Sequence, residues 1–167
     1  DTVTGTTDSD VILANGGADV ITTGDGNDTV VLNASNVTEL SATNAMLIDG
    51  GAGVNLLRLV SAPGATLDLS AVAAKVTHFS VVDVTGNGNN TVKLSLNDVL
   101  GTATSAGVHQ LVLTGDANDT AVFVANEWVD TGKAVANNGH TYEVYSAANG
   151  AAAQLLIDQH MLMAYTG

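Results

Sequence analysis

The nine residues TGDGNDTVV (23–31) place two glycines, two aspartates and an asparagine in front of an apolar pair. This order predicts a tight polar turn followed by a short strand, because glycine, asparagine and aspartate adopt turn conformations at low cost. The preceding segments GTTDSDVIL (5–13) and ANGGADVIT (14–22) have the same pattern. Residues 1–4 (DTVT) are the end of a further copy, so we expect the array to continue upstream of the sequence given.

The copies keep a strict period of nine residues. Aspartates recur at that interval, at Asp1, Asp10, Asp19 and Asp28. A large aliphatic residue follows each aspartate two positions later, at Val3, Ile12, Ile21 and Val30. A strand of about three residues then has one side chain pointing inward. Two nonapeptides form one coil, and units n and n+2 stack, which predicts an all-β parallel β-roll or β-solenoid.

These segments resemble the RTX (hemolysin-type) calcium-binding repeat, whose pattern is G-G-x-G-x-D-x-U-x. The glycines that match the pattern are Gly5, Gly17, Gly24 and Gly26. The residues that depart from it are Thr6, Asp8, Ala14 and Asn15. The aspartates and aliphatic residues all fall at the positions that the repeat requires.

The resemblance implies calcium ions held between stacked turns by repeat aspartates and backbone carbonyls, a ligand set suited to Ca²⁺. Its main site would comprise Gly5, Thr7, Asp10, Gly24, Gly26 and Asp28. A second, incomplete site would comprise Asp1, Asn15, Gly17 and Asp19. Without calcium, the same segments would be a series of polar turns.

Three later segments repeat the pattern with changes. GGAGVNLLR (50–58) lies five periods after Gly5 and has Asn55 in place of aspartate, so Gly51, Gly53 and Asn55 predict at most a weak site. TGNGNNTVK (85–93) and TGDANDTAV (114–122) lack neighbouring units in the array. Side-chain bonds to the backbone could replace the ion in both, although Asp116 and Asp119 remain weak calcium candidates.

The rest of the chain predicts a short helical insert and many strands. The insert spans about residues 33–48, with Ser35 or Asn36 as its N-cap. The predicted strands are Leu56–Val60, Thr66–Leu69, Val81–Val84, Val92–Leu96, Gln110–Leu113, Ala121–Val124, Thr141–Tyr145 and Leu155–Asp158. Single helical turns are expected at Ser70–Val76 and Ser95–Leu100, and a hairpin is expected around Asn149-Gly150.

These elements predict two regions that form one continuous solenoid. Residues 1–60 would form the nonapeptide roll with its insert, and residues 61–167 a β-rich continuation that ends in a C-terminal β cap. A cap is expected because an open solenoid edge invites aggregation.

From Leu47 onward the chain also resembles the C-terminal portion of giant RTX adhesins that type I systems secrete. The segments that carry this resemblance include IDGGAGVNLLRLV (48–60), VVDVTGNGNNTVKLSLNDVL (81–100) and LVLTGDANDT (111–120). It implies a secreted or cell-surface bacterial protein, the type I secretion machinery as a partner, and a secretion signal within about residues 125–167. The parent protein would hold any host or surface ligand.

Composition excludes several other classes of function. The 167 residues contain 17 acidic and 4 basic side chains, for a net charge of −13, so a nucleic-acid partner is not expected. The chain has no cysteine, which rules out disulfides and thiolate chemistry. No apolar run approaches the roughly 20 residues of a membrane span, and no signal peptide opens the sequence.

The sequence contains no catalytic motif, which predicts a non-enzymatic protein. His78, His109, His140 and His160 are widely spaced, and each is expected to be an isolated surface or core residue. Trp128, Tyr142 and Tyr145 could form a small aromatic surface for a sugar or peptide, but packing in the core or cap is the commoner role and is expected here. Two alternatives to an adhesin module remain open: the roll domain of a secreted hydrolase, and a segment of a surface layer.

Overall fold

The chain winds as a β-solenoid in which successive coils join by parallel strand pairing. The structure is a computed structural model that describes residues 1–86 and 88–167. Its first strands are β1 (Thr2–Thr4), β2 (Val11–Leu13), β3 (Val20–Thr22) and β4 (Thr29–Leu32). Thr2 lies opposite Val20 in the β1–β3 pair, and Val11 lies opposite Thr29 in the β2–β4 pair. Two nonapeptides therefore make one coil.

Helix α1 (Ala34–Ser41) follows β4 and marks a change from two strands per coil to three. The next coil contains β5 (Leu47–Asp49), β6 (Leu56–Leu59), β7 (Thr66–Asp68) and helix α2 (Leu69–Val72). The coil after it contains β8 (Val76–Thr77), β9 (Val81–Asp83), β10 (Thr91–Lys93) and helix α3 (Leu96–Leu100). Helix α2 contacts both α1 and α3, so the helices stack along one edge of the solenoid.

The last part of the chain begins with two more strands of the solenoid and ends in a largely antiparallel layer. Its strands are β11 (Thr104–Ser105), β12 (Val108–Thr114), β13 (Thr120–Val124), β14 (Trp128–Asn137), β15 (His140–Ala147), β16 (Ala153–Asp158) and β17 (Leu162–Thr166). Strands β14, β15 and β16 pair antiparallel, whereas β16 returns to parallel pairing with β12. The predicted hairpin at Asn149-Gly150 is confirmed as the β15–β16 connection.

The strands form three sheets. Sheet 1 has the order β1-β3-β5-β8, and sheet 3 has the order β7-β10-β13-β17. Sheet 2 runs the length of the molecule in the order β2-β4-β6-β9-β12-β16-β15-β14, with β11 beside β12. Strands β6 and β9 are hydrogen-bonded neighbours, although the predicted boundary near residue 60 separates them in sequence. The division into two regions stays a prediction.

The core consists of aliphatic ladders, in which each coil places one side chain above that of the previous coil. In sheet 2 the strand register aligns Ile12, Val30, Leu57 and Val82. In each nonapeptide the aliphatic residue lies two positions after the aspartate. This constant spacing places the aliphatic side chains in register on the inward face of the sheet. Val30 and Leu57 are completely buried, and full burial of such a side chain contributes about 1.5–3 kcal/mol.

The N-cap of helix α1 lies two to three residues before its predicted positions. Asn33, and not Ser35 or Asn36, is the N-cap, and its Oδ1 accepts hydrogen bonds from the N–H groups of Ser35 and Asn36. Asn36 Oδ1 in turn accepts the Asn33 N–H at 3.0 Å. This reciprocal pair is a capping box made from two asparagines, whereas the usual sequence signature has a Ser or Thr cap with Glu or Gln.

The predicted strands all occur, with ends shifted by up to three residues. The sequence pattern does not predict β14 or β17, nor the short strands β5, β8 and β11. Most of β14 is exposed, so its sequence lacks the alternation of apolar and polar residues that identifies a half-buried strand. The helical turn predicted at Ser70–Val76 is shorter, at Leu69–Val72. None of the helices in the described part of the chain has the length and apolar character needed to cross a membrane.

The turns of successive coils stack in direct contact, and glycine makes this contact sterically allowed. A β-carbon at Gly24 would lie 2.0 Å from the carbonyl oxygen of Thr6, and one at Gly51 would lie 1.9 Å from that of Gly24. Both glycines also have positive φ, at +107° and +61°. The three turns are therefore held closer together than any residue with a side chain at these positions permits.

We expect Gly51→Ala to destabilise the protein more than Gly132→Ala does. The two glycines have nearly the same φ, +61° and +66°, but a β-carbon at Gly132 would meet nothing within 4 Å. Each substitution incurs about 1–2 kcal/mol for a left-handed backbone. Only Gly51→Ala adds a steric clash, worth about a further 1–3 kcal/mol. Urea unfolding in calcium-containing buffer measures both, and equal losses would contradict the close stacking of the turns.

Candidate calcium-binding site

A column of side-chain oxygens links the aspartate positions of stacked turns in sheet 2. Asp28 Oδ1 accepts the backbone N–H of Asp10 at 2.8 Å, and Asn55 Oδ1 accepts that of Asp28 at 2.8 Å. The backbone N–H of Thr29 donates to the Asp10 carbonyl, also at 2.8 Å. Asp10, Asp28 and Asn55 therefore lie directly above one another in three consecutive coils.

The same arrangement occurs on the side of sheet 1. The amino nitrogen of Asp1 donates to Asp19 Oδ1 at 2.8 Å, and the Val20 N–H donates to the Asp1 carbonyl at 2.8 Å. Asn15 and Gly17 form the turn before Asp19 with φ of +56° and +100°. Of the four residues predicted for a second ion, Asn15, Gly17 and Asp19 thus belong to one turn, and Asp1 is stacked on Asp19.

One carboxylate oxygen of each of two aspartates lacks a hydrogen bond. Asp28 is completely buried and Asp19 is 5% exposed, yet Oδ2 of each has no hydrogen-bond partner among the described residues. Asp19 Oδ1 pairs with the terminal amino group of Asp1, and no lysine or arginine in the described part of the chain forms an ion pair with either residue. An unpaired oxygen of a buried carboxylate is costly. A cation with oxygen ligands would remove that cost, so the donor set fits calcium.

The turns beside Asp28 supply further oxygens. A β-carbon at Gly5 would lie 2.1 Å from the Thr23 carbonyl oxygen and 2.7 Å from Asp10 Oδ2. Asp10 Oδ2 also accepts the Thr6 N–H at 2.6 Å, so the turn already orients this carboxylate. Thr7 is exposed at the turn. The structure thus brings the turn of Gly5, Thr7 and Asp10 against the turn of Gly24, Gly26 and Asp28.

The next coil contains an amide where the first two have carboxylates. Asn55 is completely buried, and its Nδ2 donates to the carbonyl oxygens of Gly50 and His78, the latter at 3.0 Å. Gly51 and Gly53 in this turn stack against Gly24 and Gly26. The side-chain N–H groups of Asn55 therefore satisfy carbonyl oxygens of its own turn and of the next coil.

The segments 85–93 and 114–122 are stacked on each other, so the expectation that they lack neighbouring units is wrong. Thr91 lies opposite Thr120 in the β10–β13 pair of sheet 3. The two segments are 29 residues apart, and not 18, so a nine-residue period does not reveal that they stack. Asn87, in the first segment, lies outside the described residues.

Asp119 differs from Asp28 because backbone N–H groups occupy both of its oxygens. Its Oδ1 accepts the Asn90 N–H at 2.8 Å, and its Oδ2 accepts the Asp116 N–H at 2.7 Å. Asp116 itself accepts the Gly86 N–H at 2.6 Å. Asn90 Oδ1 accepts the Ala65 N–H at 3.0 Å. This third column of turns is connected by hydrogen bonds alone.

Two of the four histidines share one aspartate. His140 and His160 both contact the carboxylate of Asp158, a grouping that their separation in sequence did not indicate. His109 Nδ1 lies 2.6 Å from the Thr102 carbonyl oxygen. The expectation for the aromatic residues is confirmed, since Trp128, Tyr142 and Tyr145 are buried.

His78 forms a simpler pair with Asp49. Its Nδ1 lies 2.6 Å from Asp49 Oδ1. Burial opposes ionisation of Asp49, but hydrogen bonds from the Gly51 N–H and from His78 hold the pKa of Asp49 below its ordinary value. This pair lies beside the turn of Gly50 and Gly51 and fixes the carboxylate in its charged form.

Comparison with known families identifies the N-terminal turns. Residues 1–34 match the RTX calcium-binding nonapeptide repeat in four copies. No curated protein and no solved structure matches the chain. Repeats of this kind are typical of secreted, extracellular proteins. The first 34 residues are therefore similar to RTX nonapeptide repeats, and calcium is the ion that such repeats bind.

Proposed function

We propose that one calcium ion binds between the turn of residues 5–10 and the turn of residues 24–28. The carboxylates of Asp10 and Asp28 and the carbonyls of Gly5, Thr7, Gly24 and Gly26 are its ligands. The observation that carries this assignment is the fully buried Asp28 Oδ2, which has no hydrogen-bond partner among the described residues. A second ion binds at Asp19, with Asp1, Asn15 and Gly17, because Asp19 Oδ2 has the same property.

Calcium in this proposal is confined to the N-terminal turns. The side-chain N–H groups of Asn55 donate to two carbonyl oxygens. They therefore supply the positive charge that a bound cation would supply at the same oxygens. Asp119 has no free carboxylate oxygen, because two backbone N–H groups bond to it. Gly51, Gly53, Asn55, Asp116 and Asp119 are therefore structural counterparts of the calcium turns and bind no ion.

The charge of the N-terminal repeats makes their folding depend on the ion. Seventeen acidic side chains oppose four basic ones, and the aspartates of stacked turns, such as half-buried Asp10 and buried Asp28, repel each other in the absence of a cation. An ion that binds only the folded state stabilises it by about 2.7 kcal/mol when its free concentration is about 100 times Kd. Folding would then follow the calcium concentration of the compartment.

The biological role that fits this behaviour is a non-enzymatic C-terminal module of a secreted bacterial surface adhesin. Calcium-poor cytoplasm would leave the repeats unfolded for type I export, and the calcium outside the cell would drive their folding. The support is the RTX match over residues 1–34, together with the resemblance of the later region to adhesin C-termini.

Calcium should raise the melting temperature of the protein and increase its β-sheet signal in circular dichroism, and a chelator should reverse both effects. Asp28→Asn should remove about one bound ion, because it keeps an oxygen for the Asp10 N–H but removes the charge. Asp119→Asn is the matched control, at a position where backbone N–H groups occupy both oxygens. Calorimetric titration measures the number of ions, and an equal loss in both variants would contradict the assignment.

Asn55→Asp should destabilise the calcium-free protein by about 1–3 kcal/mol, because a carboxylate would face the carbonyls of Gly50 and His78 without a donor. Added calcium should restore the lost stability and increase the number of bound ions by about one. Denaturant unfolding with and without calcium measures the first effect, and calorimetry measures the second. A variant that loses stability equally in both conditions would show that Asn55 does not replace an ion.

Removal of residues 125–167 should abolish export from a bacterium with a matching type I system, because this region is the proposed location of the secretion signal. Removal of residues 1–34 should leave export intact, since it retains the whole proposed signal region. Immunoblots of the culture medium and the cells measure the partition of each chain. Continued export without residues 125–167 would overturn the proposed signal.

A further inference from the structure

Two histidines and one aspartate converge where β16 ends and the chain turns toward β17. His140 Nδ1 lies 2.5 Å from Asp158 Oδ2, and His160 Nδ1 lies 2.8 Å from Asp158 Oδ1. One potential ligand atom from each of the three residues lies within 4.8 Å of the others. The three side chains come from the start of β15, the end of β16 and the turn that follows.

The carboxylate in this cluster is buried, whereas the imidazoles reach solvent. The Asp158 side chain is completely buried, while those of His140 and His160 are 33% and 65% exposed. The His160 backbone N–H also donates to Asp158 Oδ1, at 3.1 Å. A buried carboxylate is thus held beside two imidazoles that reach solvent.

No basic side chain among the described residues forms an ion pair with Asp158 apart from these histidines. When both imidazoles are neutral, the cluster has a net negative charge that a divalent cation would compensate.

We propose that His140, Asp158 and His160 form a binding site for a divalent transition-metal ion of the zinc type. Zn²⁺ binds imidazole nitrogen and carboxylate oxygen at about 2.0–2.2 Å, so its ligand atoms lie about 3.4 Å apart in tetrahedral geometry. The nitrogen–oxygen distances of 2.5 and 2.8 Å must therefore open by less than about 1 Å. The exposed rings can make this movement while Asp158 stays in place.

The ligand chemistry separates this site from the N-terminal turns. Imidazole nitrogen favours zinc, nickel, copper and cobalt, whereas calcium prefers ligands that are all oxygen. The ion takes the place of the hydrogen bonds between the two Nδ1 atoms and the carboxylate, and each neutral ring then has its proton on Nε2. Three protein ligands leave a fourth coordination position for water.

Metal binding would join three segments of the C-terminal layer. Strands β15 and β16 pair antiparallel, with Tyr142 opposite Asp158, and β17 pairs with β13. An ion held by His140, Asp158 and His160 connects the start of β15 to the turn that leads into β17. The C-terminal layer would therefore gain stability from an ion different from the one that stabilises the N-terminal coils.

The test is calorimetric titration of the full chain with zinc chloride, without an added histidine tag and in excess calcium, so that the N-terminal turns are saturated. We expect one zinc ion to bind. His160→Ala and His140→Ala should each weaken that binding by at least about tenfold. Cobalt should bind at the same site and give visible absorption that both variants lose.

His78→Ala is the matched control, because His78 also contacts an aspartate but belongs to no three-residue cluster among the described residues. It should bind zinc as the unmodified chain does. Circular dichroism should show that His160→Ala remains folded, since this side chain is mostly exposed. Zinc binding that survives both cluster substitutions, or that His78→Ala reduces equally, would overturn the proposal.

Discussion

The structure depends on the contact between the turns of successive coils. Parallel pairing with so few residues per turn brings backbone carbonyl oxygens very close to the facing residue of the next turn. A β-carbon on that residue would clash with the carbonyl oxygen, as at Gly24 and Gly51. Carbonyl oxygens of one turn consequently lie against the backbone of the next, and the Gly24 carbonyl oxygen accepts the Ala52 N–H at 3.0 Å. Each of these contacts requires a positively polarised partner, because buried oxygen atoms without one are costly.

The chain meets this requirement in more than one way. In the first coils the aspartates keep an unpaired carboxylate oxygen at Asp28 and Asp19, which suits a calcium ion. In the coil after helix α1, the amide of Asn55 donates to two carbonyls. In sheet 3, backbone N–H groups bond to both oxygens of Asp119. Similar turn geometry is therefore supported by different chemistry along the chain.

The sequence predicted the parts of the fold that follow from a constant period. Because Asp10 and Asp28 are two nonapeptides apart, their stacking follows from the spacing alone, and so does the inward register of Ile12 and Val30. Stacking of Thr91 on Thr120 could not be inferred, because coil length changes from 25 to 29 residues between neighbouring pairs of sheet 3. Variable coil length removes the periodic signal while leaving the strand pairing intact.

Clusters that depend on long-range pairing had no local signal. His140 and Asp158 lie 18 residues apart, and antiparallel pairing of β15 with β16 brings them together. The cap of α1 was mislocated for a local reason, since Asn33 and Asn36 bond reciprocally in a pattern that usually involves other residue types. The contact of His140 with Asp158 depends on strand register, and the position of the α1 cap depends on side-chain hydrogen bonds. Composition indicates neither.

The amide at Asn55 has a consequence for the order in which the molecule assembles. Coils that follow it are connected by their own hydrogen bonds, so they can form while the ion concentration is low. In a stacked architecture each coil contacts only its neighbours, and an ordered coil is a template for the next. The edge of β6 would then be a preformed surface for the acidic repeats. At that edge, Asn55 Oδ1 accepts the Asp28 N–H when the repeats pair with β6. Growth of the solenoid would proceed from that surface toward the N-terminus, in one direction, once cations become abundant.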